Sequence, residues 1–218
     1  MKTIIGLVGV KTSGKTTICN MIKEFVTAKE VALADKLKNT CGEIFGLERI
    51  QFDLQELKEL PFKKPILLTS NHISKILTSY GIEMSFLEID RKYSSLINME
   101  LDTPRKIAQI IGTEVLRAVG NENIHCENIK ISKDEITIIS DIRFPNEMEY
   151  FKNLNNIKFL PLYINRLEAE KHVTEYSHPS EKSIFEFSNK CIKIDNNGTL
   201  DETRLQIKEI LEYYFIIM

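Results

Sequence analysis

The chain has no tryptophan, only four cysteines and nine glycines among its 218 residues, and almost no net charge, −2 at neutral pH. Each shortage excludes something. A charge so near zero argues against a broad nucleic-acid footprint, which needs a basic face. Cys19, Cys41, Cys126 and Cys191 are scattered, without metal-ligand pairing, and suit a reduced intracellular protein rather than a disulfide framework. No apolar run approaches the length of a membrane span. The apolar start from Thr3 to Val10 superficially resembles a signal peptide, but Lys11 and Lys15 interrupt it and no small-residue cleavage site follows. A cytoplasmic location is therefore expected, with neither nucleic acid nor membrane as partner and a homodimer allowed. No repeat or low-complexity tract is visible. What remains, 43% hydrophobic and 28% charged, is globular and long enough for one domain with an inserted lobe.

Against that background one string stands out. Gly9 to Thr17 reads GVKTSGKTT and fills the spacing G-x-x-x-x-G-K-[ST] with Gly9, Gly14, Lys15 and Thr16. It lies between an apolar strand-like run and a helical stripe of Ile18, Ile22, Phe25 and Val26, the setting a phosphate-binding loop requires. Gly9 and Gly14 let backbone N–H groups curl around phosphate oxygens. The helix that follows adds its unpaired N–H groups and positive dipole end. Lys15 is expected on the β- and γ-phosphates and Thr16 on Mg²⁺, with Lys11, Ser13 and Thr17 completing the nucleotide contacts.

Strand-like runs fall at Thr3–Val10, Glu30–Ala34, Glu135–Ser140, Ile157–Ile164 and Lys190–Ile194. Helical patterns separate them, at about Gly14–Ala28, Asp35–Phe45, Thr103–Val119, Pro145–Asn153 and Leu200–Phe215. Alternation of this kind predicts a three-layer α/β domain: a five-stranded parallel sheet flanked by helices, with ligands gathered at the carboxyl ends of the strands. Across residues 47–102 the pattern blurs. Gln55–Leu60 and His72–Tyr80 look helical, while Pro61, Pro65 and Gly81 break the run, so a helical lobe inserted over the site is expected there. A lid is expected across 166–188.

Further candidates follow along the chain. On the helix after Asp102, with Pro104 in its first turn, Arg105, Gln109, Gly112 and Thr113 share one face. Ile107, Ile110, Ile111, Val115 and Ala118 lie opposite, and Leu116 falls awkwardly among the polar set. That polar face suits a phosphate and a nucleobase edge, and equally suits plain solvation. The strand ending at Asp141 offers a carboxylate to Mg²⁺, with Arg143 and Glu147 close behind; a strand-end salt bridge gives the same pattern. Arg166 and the polar segment Lys171–Lys182 read as a flap carrying a cation. His172 and His178 lack partners at metal-ligand spacing. Asp195–Thr199 is placed to touch adenine through Asn197 and Thr199, or simply to cap the last helix.

Taken together, these residues resemble the deoxynucleoside monophosphate kinases of large DNA bacteriophages and related viruses. The resemblance rests on RKIAQIIGTEVLR (Arg105–Arg117), DIRFPNEME (Asp141–Glu149), HPSE (His178–Glu181), IDNNGTLDE (Ile194–Glu202) and ADKLK (Ala34–Lys38). It implies a phosphate-loop, nucleoside monophosphate kinase-like fold and transfer of the ATP γ-phosphoryl group, with Mg²⁺, to a deoxynucleoside monophosphate. By the same resemblance Asp35, Lys38, Arg105, Lys106, Gln109, Gly112, Thr113, His125, Asp141, Arg143 and Glu147 would bind substrate. Lys15, Arg105, Asp141, Arg143 and Arg166 would be catalytic, and Thr16 and Asp141 would hold the metal. His125 stands where the family carries tryptophan, which removes the usual stacking surface for a base. Thr16 stands where many members have Asp and keeps the ordinary metal-binding hydroxyl. Phosphate-loop kinases of phosphomevalonate or dephospho-coenzyme A are the neighbouring alternatives. A guanine-nucleotide switch is disfavoured, because Asn189-Lys190 is followed by Cys191 and Ile192 and lacks the Asp of N-K-x-D.

Overall fold

A computed structural model of the chain describes residues 2–132, 135–214 and 217. Seven strands occur among them: β1 (Lys2–Val8), β2 (Ala28–Val31), β3 (Ile66–Leu67), β4 (Glu100–Leu101), β5 (Ile136–Ile142), β6 (Ile157–Asn165) and β7 (Ile192–Asp195). Five of them form one sheet in the order β2-β5-β1-β6-β7, with every pairing parallel. The expected α/β architecture is the observed one. The chain divides into two compact units, one made of residues up to Leu33 with those from Cys126 onward, the other of Ala34–His125.

The first unit contains the sheet. β1 lies at its centre and is buried on both faces, so its residues alternate between two cores. Ile4 and Val8 join Ile139, Ile142, Met148, Phe151, Ile184 and Phe187. Ile5 and Leu7 join Ile18, Ile22, Leu162, Ile194, Ile207 and Leu211. Helices Lys15–Phe25 and Leu200–Tyr213 therefore cover one face, and Pro145–Lys152 and Ile184–Phe187 the other. Register sets Val8 beside both Ile142 and Tyr163, so the chain leaves β1, β5 and β6 at one level. That level is where Gly9, Arg143 and Arg166 follow.

Several element boundaries differ from expectation by a few residues, two of them for identifiable reasons. The second strand is Ala28–Val31 rather than Glu30–Ala34. It is a sheet edge, where the exposed Lys29 and Glu30 are tolerated and Glu30 pairs with Lys23 at 2.6 Å. The apolar residue Leu33 turns away, giving its N–H to Asp141 at 2.6 Å. The first helix ends at Phe25 because Val26 is already extended. The last helix is described to Tyr213, and the expected end at Phe215 lies outside the described residues.

The second unit has its own core, in which Leu37, Cys41, Phe52, Ile73, Ile76, Leu77, Ile89, Tyr93, Ile107, Ile111, Val115 and Leu116 are buried. It is mainly helical, with Asp35–Phe45, Ser70–Ser79 and Phe86–Lys92 joined by short turns and by the antiparallel ribbon β3–β4. The stretch expected as one helix over Thr103–Val119 is three pieces. Pro104–Gln109 is α-helical, Ile110–Leu116 is a π-helix and Arg117–Val119 a 3₁₀ turn. A π-turn takes in an extra residue, and such segments recur at functional sites. This explains Leu116: the wider turn rotates it out of the polar set and into the core, where it is fully buried, while Ala118 is left exposed. Among the described residues no helix is long and apolar enough to cross a membrane.

Candidate active site

The loop between β1 and the first helix has features that suit an anion. Its helix begins at Lys15 behind Gly14, with no side-chain cap and no acidic residue in the first turn. Neither a first-turn carboxylate nor a capping hydroxyl offsets the positive end of that helix. Elsewhere Thr69, Ser85, Thr103 and Thr199 each cap their helices with a hydroxyl. Gly14 is obligatory: its φ is +101°, and a Cβ there would stand 2.5 Å from Asn196 Nδ2. Lys15 folds back over the loop, its Nζ 2.6 Å from Gly9 O and 2.7 Å from Val10 O. Ser13 is fully buried and its Oγ has no hydrogen-bond partner among the described residues. An orphaned hydroxyl costs free energy unless a ligand satisfies it. Thr16 and Thr17 are exposed at the start of the helix.

Asn196 holds this loop. Its Nδ2 donates to Ser13 O at 2.8 Å, and its Oδ1 accepts from the buried Thr203 hydroxyl at 3.2 Å. Sequence reasoning named the neighbouring Asn197 instead. Asn197 Oδ1 accepts from Leu167 N at 2.8 Å and ties the turn to the end of β6. Thr199 caps the last helix, accepting from Glu202 N at 3.2 Å while Glu202 Oε2 accepts from Thr199 N at 2.7 Å. Arg166, directly after β6, reaches the phosphate loop with Nη1 3.3 Å from Thr12 O.

Arg143 is clamped on three sides. Its N–H donates to Glu147 Oε2 at 2.7 Å, and its carbonyl accepts from the Ser183 hydroxyl at 2.7 Å. Its guanidinium forms an ion pair with Glu181, a side chain only 12% exposed. Glu147 is itself buried and also accepts from Phe144 N at 3.1 Å, so its carboxylate is occupied at the start of helix Pro145–Lys152. Glu181 was visible in the HPSE motif but had been given no role. Its Oε2 accepts from Lys11 N in the phosphate loop at 2.7 Å. Burial alone would raise its pKa, but Arg143, the Lys11 N–H and the charge on Lys15 hold it below the usual carboxylate range. His178 Nδ1 accepts from Ser180 N at 3.2 Å, a capping role. The Cys19 thiol is pushed up to about 12 by burial and by Glu30, which leaves it an inert packed residue.

The second unit holds the remaining candidates. Asp35 pairs with Arg49 at 2.5 Å and Lys38 with Asp53 at 2.9 Å; Arg49 also reaches Asp53 at 2.8 Å, so these four form one network. Arg49 had not been anticipated. Arg105 Nε lies 2.7 Å from Glu59 Oε1 and Lys106 lies 3.4 Å from Asp102. Gly112 opens the π-helical segment to close approach, since a Cβ there would stand 2.8 Å from Leu37 Cδ2. His125 is buried, with Nε2 3.2 Å from Gly112 O and its ring edge-on to Tyr80. Gln109 and Thr113 are partly buried beside Gly112.

A five-stranded parallel sheet flanked by helices, whose central strand feeds a glycine loop and a helix without a side-chain cap, is an α/β fold consistent with that of the nucleoside monophosphate kinases. Comparison with known proteins narrows the class. The chain is 27% identical over 220 residues to a candidate deoxynucleotide monophosphate kinase of Acanthamoeba polyphaga mimivirus, covering 94% of this chain and 93% of that one. It is also 27% identical over 215 residues to the deoxynucleoside-5'-monophosphate kinase of Escherichia phage T5, covering 84% and 86%. The chain is therefore homologous to viral and phage deoxynucleoside monophosphate kinases over most of its length. No family model matches it.

Proposed function

We propose that this protein transfers the γ-phosphoryl group of ATP to the 5′-phosphate of a deoxynucleoside monophosphate, giving ADP and the diphosphate. The observation that carries this reading is the uncapped helix start at Gly14–Lys15, with the buried unsatisfied Ser13 hydroxyl beside it. Likeness to two such kinases along most of the chain supplies the acceptor class.

The acceptor needs no strong base, because a phosphate monoester with its second pKa near ~6 is already largely dianionic at neutral pH. Catalysis then rests on alignment and on charge neutralisation. In this reading the loop amides and Lys15 hold the donor phosphates, and Arg166 adds a cation at the loop. Arg143 stabilises the transferring group, its backbone fixed by Glu147 and Ser183. In the second unit Arg105, Lys106, Gln109 and Thr113 bind the acceptor, with Asp35, Lys38, Gly112 and His125 shaping its surroundings. Thr16 and Asp141 offer a hydroxyl and a carboxylate, hard oxygen donors that suit Mg²⁺. Among the described residues no group of three or more His, Cys, Asp or Glu forms a dedicated cage. That fits an ion carried mainly by phosphates and water, with one or two protein oxygens. When bound, Mg²⁺ would neutralise charge on the triphosphate.

The test is a phosphate-transfer panel with ATP and Mg²⁺ across ribo- and deoxynucleoside monophosphates, phosphomevalonate and dephospho-coenzyme A. Turnover confined to deoxynucleoside monophosphates is expected. Turnover with phosphomevalonate or dephospho-coenzyme A alone would refute the acceptor assignment.

A further inference from the structure

The carboxylate of Glu181 sits where the loop offers its positive features. It accepts from the backbone N–H of Lys11 at 2.7 Å, pairs with the Arg143 guanidinium, and lies within the field of Lys15. A carboxylate that takes a loop amide on Oε2 and an arginine Nη1 on Oε1 makes the kind of contacts a phosphate group would make with two of its oxygens. The side chain is largely shielded from water, so these contacts are not diluted by solvent. Its helix is also anchored. His178 Nδ1 caps it by accepting from Ser180 N, and in the residues that follow Ser183 donates to the Arg143 carbonyl while Ile184 and Phe187 are buried in the core with Ile139 and Ile142 of β5.

We propose that Glu181 is a positioning residue that stands in for phosphate, holding Arg143 and the phosphate loop in order until nucleotide takes its place. The proposal rests on the nucleotide-binding reading of the loop given above. Two consequences of opposite sign follow. The carboxylate competes with the incoming anion, so it weakens nucleotide binding. In the empty loop it also keeps Arg143 and the loop ordered for the next nucleotide, so it supports turnover.

Glu181→Gln keeps the shape and removes the charge. Titration calorimetry with ATP and with ADP, in the absence of any acceptor, is expected to show tighter binding by the variant, by about 10-fold for one charge-assisted contact no longer opposed. Steady-state turnover with deoxynucleoside monophosphates is expected to fall in the same variant, and Glu181→Asp to recover part of it. A residue that merely packs would weaken both quantities together. Unchanged or weaker nucleotide binding by Glu181→Gln, with the wild type binding normally, overturns the stand-in role. Failure of both proteins to bind ATP or ADP would instead remove the reading of the loop itself, and this proposal with it.

Discussion

Two helices on the same face of the sheet begin in opposite ways. Lys15–Phe25 starts behind a left-handed glycine, with no hydroxyl cap, no acidic residue in its first turn and a lysine as its first residue. Leu200–Tyr213 starts behind Thr199 with a reciprocal Thr199–Glu202 box and Asp201 and Glu202 in its first turn. The second start carries a side-chain cap of its own, and the first carries none. In the reading proposed above, the Gly14 end has no hydroxyl cap because a phosphate takes that place. On that reading the pair separates a helix start that serves stability from one that serves binding.

That contrast can be broken from either side. The largest effect is expected at Lys15, where Lys15→Ala should lower kcat by at least ~10²-fold, by analogy with loss of one preorganised charge donor. Stopped-time phosphate transfer, with circular dichroism to verify folding, measures it; full turnover would dissociate the loop from catalysis. Gly14→Ala comes next. It forces a side chain into a left-handed backbone, at about 1–2 kcal/mol, and against Asn196. Chemical denaturation should show that loss, and calorimetry a matching loss of ATP affinity. Thr199→Ala is expected to cost about 1 kcal/mol, or a fall in melting temperature of about 2–4 °C for a chain of this size. Its ATP affinity should stay within two-fold. Equal damage to binding from Thr199→Ala would erase the distinction between the two ends.

Much of the fold could be read directly from residue patterns. The apolar run from Ile4 to Val10 announced a buried strand, and the glycine loop identified its carboxyl end as the place to look; its place at the centre of the sheet came only with the structure. The edge strand was shifted because Lys29 and Glu30 carry no hydrophobic signal there, while the apolar Leu33 belongs to the turn that reaches Asp141. The π-helix was hidden because a helical wheel assumes a constant period; the misplaced Leu116 was its only trace. Within the site, side-chain identity was visible but pairing was not. Asn196 and Asn197 are adjacent and chemically identical, and only the turn's geometry decides which one meets Ser13. Glu181 lies 170 residues from its Lys11 partner, a distance no local pattern spans.

The brace at Asn196 has a bearing on biosynthesis. The asparagine lies 183 residues downstream of the Ser13 carbonyl it supports. During translation the glycine loop leaves the ribosome early, but its supporting amide arrives only when the final strand has been made. A nascent polypeptide thus carries the loop sequence long before it has the amide that braces it.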